Sequence, residues 1–385
     1  MEKTNKLIKF IELRYADPIS SMDLTDDYLL FGTMLGSTKY YIINQKKLIS
    51  LSEIQDENIS GVKIYQNNLY ICIGDFKIII YTLNNNDISQ IPEYTESKNY
   101  DSEEKHNQKC VNCLTMLNDK YLIRTYINFP SKPNDEPITE EVEISIKNII
   151  KDDSNDNNNE KIEGKIKMSN YSVPFDFDGK NYIFIDFIKQ NERSFNVCNL
   201  IDKSEKKFII EEKFKEEKIG HISHLKVIKD DLLFIVRDYN ICEIRNYNLD
   251  LKKKLNIKAG EILAYDLLLD ESDNDINNIN NINNENDEEI SEKDRQIKIE
   301  KKDNELESLY IILLDLDCNV FLYKYKEDKC ELLFNLENDE LNIDKDIKGQ
   351  RFFLFGYPYF IKFTKKYIAI SSDYGCILFQ YSSSD

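Results

Sequence analysis

The sequence predicts an all-β fold made of seven repeated units, each a four-stranded antiparallel sheet. Three observations carry that expectation. Short runs of Ile, Leu, Val, Tyr and Phe alternate with Asp, Asn, Gly and Lys punctuation along nearly the whole chain, the pattern of strands and turns, while helical periodicity is nearly absent. A turn pair followed at once by an apolar run occurs seven times, opening at Tyr28, Leu69, Tyr121, Tyr182, Leu232, Leu309 and Tyr367. The shortest interval, 41 residues from Tyr28 to Leu69, matches the ~40–45 residues of a four-stranded repeat, and the longer intervals contain visible polar insertions.

A second spacing runs inside the first. The apolar run leads to an Asp, and a bulky apolar residue follows at the same distance again: Leu69/Asp75/Tyr81, Leu232/Asp238/Ile244 and Tyr367/Asp373/Phe379. Asp317 with Tyr323 keeps the second half, and Gly36 with Tyr41 is a variant. Asp and Gly tolerate the backbone of a tight hairpin, and the strand that follows ends in a large side chain suited to packing between sheets. Because the aspartates recur at equivalent places, the expected job of Asp75, Asp238, Asp317 and Asp373 is to hold turns rather than to act as catalytic carboxylates.

The two ends of the chain complement each other. The last unit stops at Tyr381 and a short Ser-rich tail after its third strand, whereas the apolar segment from Lys6 to Leu13 precedes the first unit without a partner. An opening strand added to the final sheet would close the ring and remove the exposed edges that invite aggregation. The expected architecture is therefore a seven-bladed β-propeller over residues 1–385, closed by the N-terminal strand.

These hairpin motifs resemble the WD-repeat family of β-propellers, whose blades carry a Gly-His pair before the first strand, an Asp in the following hairpin and a Trp-Asp pair at the end of the third strand. Gly220-His221 stands at the Gly-His place, with Asp238 in the hairpin. Tyr81, Ile244, Tyr323 and Phe379 stand where Trp would be, and Thr82, Arg245, Lys324 and Gln380 where its Asp would be. The chain has no Trp at all, so the resemblance is degenerate. It implies a rigid scaffold that binds other proteins.

Composition agrees with a large folded body. Hydrophobic residues make up 41% of 385, including 20 Phe and 24 Tyr, enough for a sizeable core. The formal net charge of −19 opposes nucleic-acid phosphates and anionic lipid as partners. Residues 270–307 hold 14 acidic and five basic residues, so much of that charge is local. Stretches 96–108, 129–140, 151–165 and 270–307 read as flexible acidic or Asn-rich insertions, too polar to offset the entropy of ordering. The start lacks a signal-peptide apolar stretch, and no run reaches the ~18 uncharged residues of a spanning helix. Cysteines scattered through apolar segments, such as Cys72, Cys198, Cys242, Cys318 and Cys376, suit a reducing cytoplasmic compartment, with cytoskeletal or nuclear association left open.

Motifs with chemical potential give way to plainer readings. Cys110-Val-Asn-Cys113 lacks a second pair to complete a metal site. His221 and His224 read as hydrogen-bonding core residues. Asp273-Asn-Asp275 opens like a calcium loop but lacks the Gly and the bidentate Glu. Lys252–Lys254 and Lys365-Lys366 read as solvated strand or turn residues. No phosphate loop, nucleophile elbow or zinc-protease helix is present, and no catalytic, cofactor or metal residue is assigned. The expected function is a non-catalytic protein–protein interaction scaffold, a subunit of a multi-protein assembly whose partners include basic surfaces. The alternatives are a reader of basic peptides acting through the acidic insertion, and an enzyme using the central channel.

Overall fold

The computed structural model describes residues 6–14, 17–53, 58–65, 68–73, 77–83, 93–97, 109–117, 121–128, 140–148, 161–168, 175–189, 192–199, 205–211, 221–270, 308–336, 358–373 and 375–382. Within them every regular element is a strand. β1 (Lys6–Arg14) comes first. Sheet 1 follows as β2 (Ile19–Leu24), β3 (Tyr28–Thr33), β4 (Ser37–Ile42) and β5 (Lys47–Glu53). Sheet 2 is β6 (Ile59–Tyr65), β7 (Asn68–Ile73), β8 (Lys77–Thr82) and β9 (Glu93–Ser97). Sheet 3 is β10 (Lys109–Leu117), β11 (Tyr121–Asn128), β12 (Glu140–Asn148) and β13 (Lys161–Met168). Sheet 4 is β14 (Phe175–Phe177), β15 (Asn181–Lys189), β16 (Glu192–Asn199) and β17 (Glu205–Glu211). Sheet 5 is β18 (Ile222–Lys229), β19 (Leu232–Arg237), β20 (Ile241–Asn246) and β21 (Leu251–Lys254). Sheet 6 is β22 (Ile262–Asp270), β23 (Ser308–Asp315), β24 (Val320–Lys326) and β25 (Lys329–Leu336), and sheet 7 contains β26 (Pro358–Phe363), β27 (Tyr367–Ser372) and β28 (Gly375–Ser382).

Sheets 1 to 6 are antiparallel meanders in sequence order. Sheet 7 differs: its order is β1-β28-β27-β26, with Leu7 opposite Tyr381 and Leu13 opposite Cys376. The apolar runs found in the sequence become the second strands β3, β7, β19, β23 and β27. Their burial is nearly continuous rather than alternating because each is covered on both faces by a neighbouring sheet.

The core accordingly lies between sheets. One cluster joins sheets 1 and 2 through Leu30, Tyr40, Ile59 and Ile71, another sheets 5 and 6 through Phe234, Ile244, Ile311 and Tyr323, and a third sheets 6 and 7 through Ile312, Leu322, Ile370 and Phe379. Sheets 7 and 1 share a cluster of Leu29, Phe31, Tyr41, Ala369 and Leu378, against which Ile11 and Leu13 of β1 pack. Strand β2 also touches β26.

The chain departs from expectation in one insertion. β13 begins at Lys161, inside the stretch 151–165, where Lys165 pairs with Glu143 and Glu163 with Ser145. The stretches 98–108, 129–139, 151–160 and 271–307 lie outside the described residues.

Candidate interaction face

The first strand of each sheet sets the position of everything else, and a charge at one recurring register ties several of them together. Asp23 stands opposite Leu30, Lys63 opposite Tyr70, Asp176 opposite Ile183, Lys226 opposite Phe234, Asp266 opposite Ile312 and Lys362 opposite Ala369. Each carboxylate accepts a backbone N–H from the first strand of the next sheet: Ile64 donates to Asp23 at 2.8 Å, Val227 to Asp176 at 2.7 Å and Phe363 to Asp266 at 3.1 Å. The residue before each donor is a lysine, and its Nζ lies 3.4 Å from Asp23, 3.5 Å from Asp176 and 3.5 Å from Asp266.

A carboxylate as buried as Asp176 is stable only when so compensated. These six residues are not among those the sequence motifs singled out, since each is one charge within a short strand. The single charges are the ties. A usable signal was present, since Asp23, Lys63, Asp176, Lys226 and Lys362 each fall five or six places before the apolar run of their own unit.

The shared register makes neighbouring first strands run in the same direction. One end of the body therefore gathers the turns between first and second strands. There Lys365 Nζ reaches Asp270 at 2.5 Å and Lys366 Nζ reaches Asp26 at 2.9 Å, so this lysine pair bridges sheet 7 to sheets 6 and 1 rather than only pointing into solvent. The opposite end gathers the hairpins between second and third strands together with the starts of the first strands. We call it the hairpin face.

On the hairpin face one arrangement recurs. The hairpin N–H of Met34, Asp238 and Leu316 donates to the carbonyl just before its own first strand, at Pro18 (2.9 Å), His221 (2.7 Å) and Glu261 (2.7 Å). A carboxylate clips the same junction. Asp17 accepts from Leu35 N–H at 3.1 Å, Asp238 from His221 N–H at 3.1 Å and Asp315 from Gly260 N–H at 3.3 Å. The hairpin of sheet 5 also reaches forward, as Ile262 N–H donates to the Tyr239 carbonyl at 2.7 Å.

With the backbone so held, the tips project large apolar side chains into solvent. Met34 is 49% exposed, Leu35 63%, Tyr239 45%, Leu316 46% and Tyr359, at the start of β26, 39%. All five belong to sheets 5, 6, 7 and 1. Tyr239 also has φ 68°, next to Asp238 at 51°, a left-handed pair that Asn-Gly would occupy at lower cost. Its ring lies 5.0 Å from that of His221.

The residues singled out from sequence fall as follows. Asp238 lies in the β19–β20 hairpin and clips His221 as described. Asp317 is exposed in the β23–β24 turn, but the carboxylate that caps this turn is Asp315, which also accepts Asn319 N–H at 2.8 Å. Asp373 is half-buried in the β27–β28 turn. Asp75 and Gly220 lie outside the described residues. Gly260, which precedes the first strand of sheet 6 as Gly220 precedes that of sheet 5, lies tight against the Asp315 carboxylate: an added Cβ would stand 3.2 Å from Asp315 Oδ2.

Tyr81, Tyr323 and Phe379 are buried and face the preceding sheet. The hydroxyl of Tyr81 donates to Leu51 O at 3.4 Å and that of Tyr323 accepts Lys258 N–H at 2.9 Å, so both rings also tie to the outer region of the sheet before. Ile244 faces forward instead, and its neighbours Glu243 and Arg245 occupy the backward side of sheet 5.

Those neighbours form a buried charge cluster. Glu243 Oε2 accepts from Arg245 Nε at 2.7 Å and Oε1 from Arg237 at 3.2 Å, while Arg237 also bonds Asp238 at 3.0 Å and Arg245 donates to Leu249 O. Burial pushes the Glu243 carboxyl up, but the hydrogen bonds and charges of the two guanidinium groups outweigh it and hold the group below the usual carboxylate range. His224, edge-on to Tyr265 at 5.3 Å, is held neutral: burial lowers it, against a backbone hydrogen bond at Leu263 that raises it. Burial likewise pushes the Cys376 thiol up to about 12 and that of Cys318 up to about 11, which makes them packing residues rather than nucleophiles. Among the described residues no three His, Cys, Asp or Glu side chains are grouped to hold a metal ion.

Solved structures share this arrangement of sheets. The chain is similar over 97% of its length to a chain of the mitotic checkpoint complex, 91% of which is covered, with a TM-score of 0.56 and 10% identity. It is similar over 98% of its length to the WD40 β-propeller domain of Doa1, 97% covered, with a TM-score of 0.52 and 9% identity. The WD40 domain of SCAP from fission yeast gives a TM-score of 0.51 at 9% identity, over 98% of this chain and 94% of that one. The fold is that of a WD40-type β-propeller. No family model matches the chain and no curated protein matches it. At such low identity the likeness concerns the propeller fold, and function has to be argued from the faces.

Proposed function

We propose that this propeller is a non-catalytic protein-interaction scaffold, one domain spanning residues 1–385, which works as a subunit of a multi-protein assembly in the reducing cytoplasm. In this reading seven blades form a closed ring and β1 completes the last of them. Pairing of β1 with β28, contact of β2 with β26 and the Lys366–Asp26 bridge all support closure.

The observation that carries the scaffold reading is the hairpin face. Five large apolar side chains exposed at hairpin tips or first-strand starts of four sheets are costly to leave in water, and solvent-exposed apolar groups gathered on one surface mark a place where another protein sits. Protein partners are also what the acidic charge leaves favoured over nucleic acid or anionic lipid.

Native purification from gently lysed source cells tests the reading. The chain is expected to elute in a complex much larger than its own 45.5 kDa. Recovery as a monomer across a range of low-salt lysates overturns it.

A further inference from the structure

The hairpin face carries more information than its apolarity. Around the exposed tips stand the acids Asp17, Glu261, Asp317 and Asp373. The described basic side chain on this part of the face, Arg237, is engaged by Asp238 and Glu243. Sheets 5, 6, 7 and 1 therefore present apolar tips inside an acidic rim. Such a surface favours cations by field as well as by contact and disfavours acidic partners by like-charge repulsion.

The spacing of the tips matters too. Met34 and Leu35 share one hairpin, Tyr239 and Leu316 come from two others and Tyr359 from the start of a first strand, so they form a row of separate knobs rather than one continuous plate. A row of knobs suits an extended or short helical segment whose apolar side chains fall between them, more than it suits a second flat surface.

Tyr239 supplies an independent pointer. Its ring is exposed and its backbone is in the left-handed region, which glycine takes more readily than a residue with a side chain. Folding alone would be served better by Gly, so the local preference of the turn does not account for the aromatic ring. An exposed, rigid aromatic is the commonest kind of anchor in a protein interface.

We infer that the hairpin face of sheets 5, 6, 7 and 1 docks a short segment of a partner protein in which apolar side chains alternate with Lys or Arg. Tyr239 and Leu35 are its anchors, and the acidic rim selects for positive charge. The inference rests on the scaffold reading, and it adds the chemistry of the partner and the face that receives it.

The test uses the full chain and a displayed library of twelve-residue peptides that combine Leu, Ile and Phe with Lys and Arg, alongside a matched library in which Lys and Arg become Glu. Basic apolar peptides are expected to be retained, and their binding to weaken with added salt. Tyr239→Gly is expected to fold at least as stably as the native chain and to lower peptide affinity about tenfold. Leu35→Ser is expected to do the same to affinity at little cost in stability. Glu261→Lys with Asp317→Lys should abolish retention of the basic library. The inference is overturned if neither library is retained, if the acidic library is retained equally well, or if Tyr239→Gly and Leu35→Ser leave affinity unchanged. Self-association lost in the same variants, in place of peptide binding, would also overturn it, since the occupant would then be a second copy. If these variants bind no less but the native complex persists on purification, the docking inference fails while the scaffold reading stands. A chain that is monomeric in lysate removes the scaffold reading itself.

Discussion

At the scale of single residues, a few compensated charges are the places where one substitution leaves a partner stranded. Asp176 is 1% exposed and accepts both Val227 N–H and the Lys226 ammonium, so Asp176→Ala strands a half-buried donor. The expected loss is about 2–3 kcal/mol, measured by denaturant unfolding. Lys226→Ala alone should cost less, because that ammonium is partly in water, and the double variant should lose less than the sum of the two. Among the described residues two buried groups contribute to the acid response, in different windows. Neutral His224 has its folded value below the ordinary 6.5, so below that pH the unfolded chain takes up a proton that the folded chain refuses. Stability is expected to fall as pH drops from about 6.5 towards the lowered folded value. Thermal unfolding of His224→Gln should be flatter than native across that interval; an identical slope in the two proteins would exclude His224 as the cause. Glu243, with its folded value depressed, contributes stability that is complete above the ordinary carboxylate value of 4.5 and lost as pH falls through the folded one. Glu243→Gln should therefore be less stable near neutrality and less sensitive below about pH 4.5.

At the scale of elements, close approach between sheets decides which substitutions are tolerated. A Cβ on Gly32 of β3 would stand 2.1 Å from Ile59 Cγ2 and 2.5 Å from Ile59 Cβ. Gly32→Ala is expected to cost about 1–3 kcal/mol by forcing sheets 1 and 2 apart. Ile59→Ala should restore only part of this, since it removes the nearest atom, Cγ2, but keeps the Cβ at 2.5 Å; complete rescue in a double variant would show that the sheets do not approach as closely as this. The outer strand β21 shows the reverse logic. Its Leu-Lys-Lys-Lys sequence is mostly exposed, and lysines along an unpaired edge discourage pairing with another chain. The tract Lys252–Lys254 thus belongs to the management of an edge, with Lys253 reaching Asp328 of the next sheet at 3.6 Å.

At the scale of the whole molecule, the first strand and the last share one sheet, so removing residues 1–14 should leave β28 with an open edge and uncover the Ile11 and Leu13 packing site. A lowered melting temperature together with concentration-dependent aggregation is the expected result by light scattering, and a truncated chain as stable and monodisperse as the full one would count against ring closure. The repeat was legible from sequence because a strand covered on both faces must be a continuous apolar run, and a tight hairpin must begin with residues that turn cheaply, as at Tyr28, Leu232 and Tyr367. The pairing of residues 6 to 14 with the last sheet was legible for a similar reason, an apolar segment without a local partner. The inter-sheet ties were not, because Asp23 and Lys63, or Asp266 and Lys362, are tens of residues apart and look like isolated surface charges until two first strands lie side by side. The face that Ile244 takes was not legible for the same kind of reason: a spacing counted along the chain does not register which side of sheet 5 each residue takes. Nor could sequence separate Asp315 from Asp317 as the turn cap, since both suit a turn and only the position of the Gly260 N–H chooses between them. Local chemistry along the chain by itself determined the strands, their turns and their recurrence. Which charges meet, which carboxylate closes a junction and which apolar tips stay in water was decided by the tertiary structure, because each depends on distances between segments that the linear order does not contain.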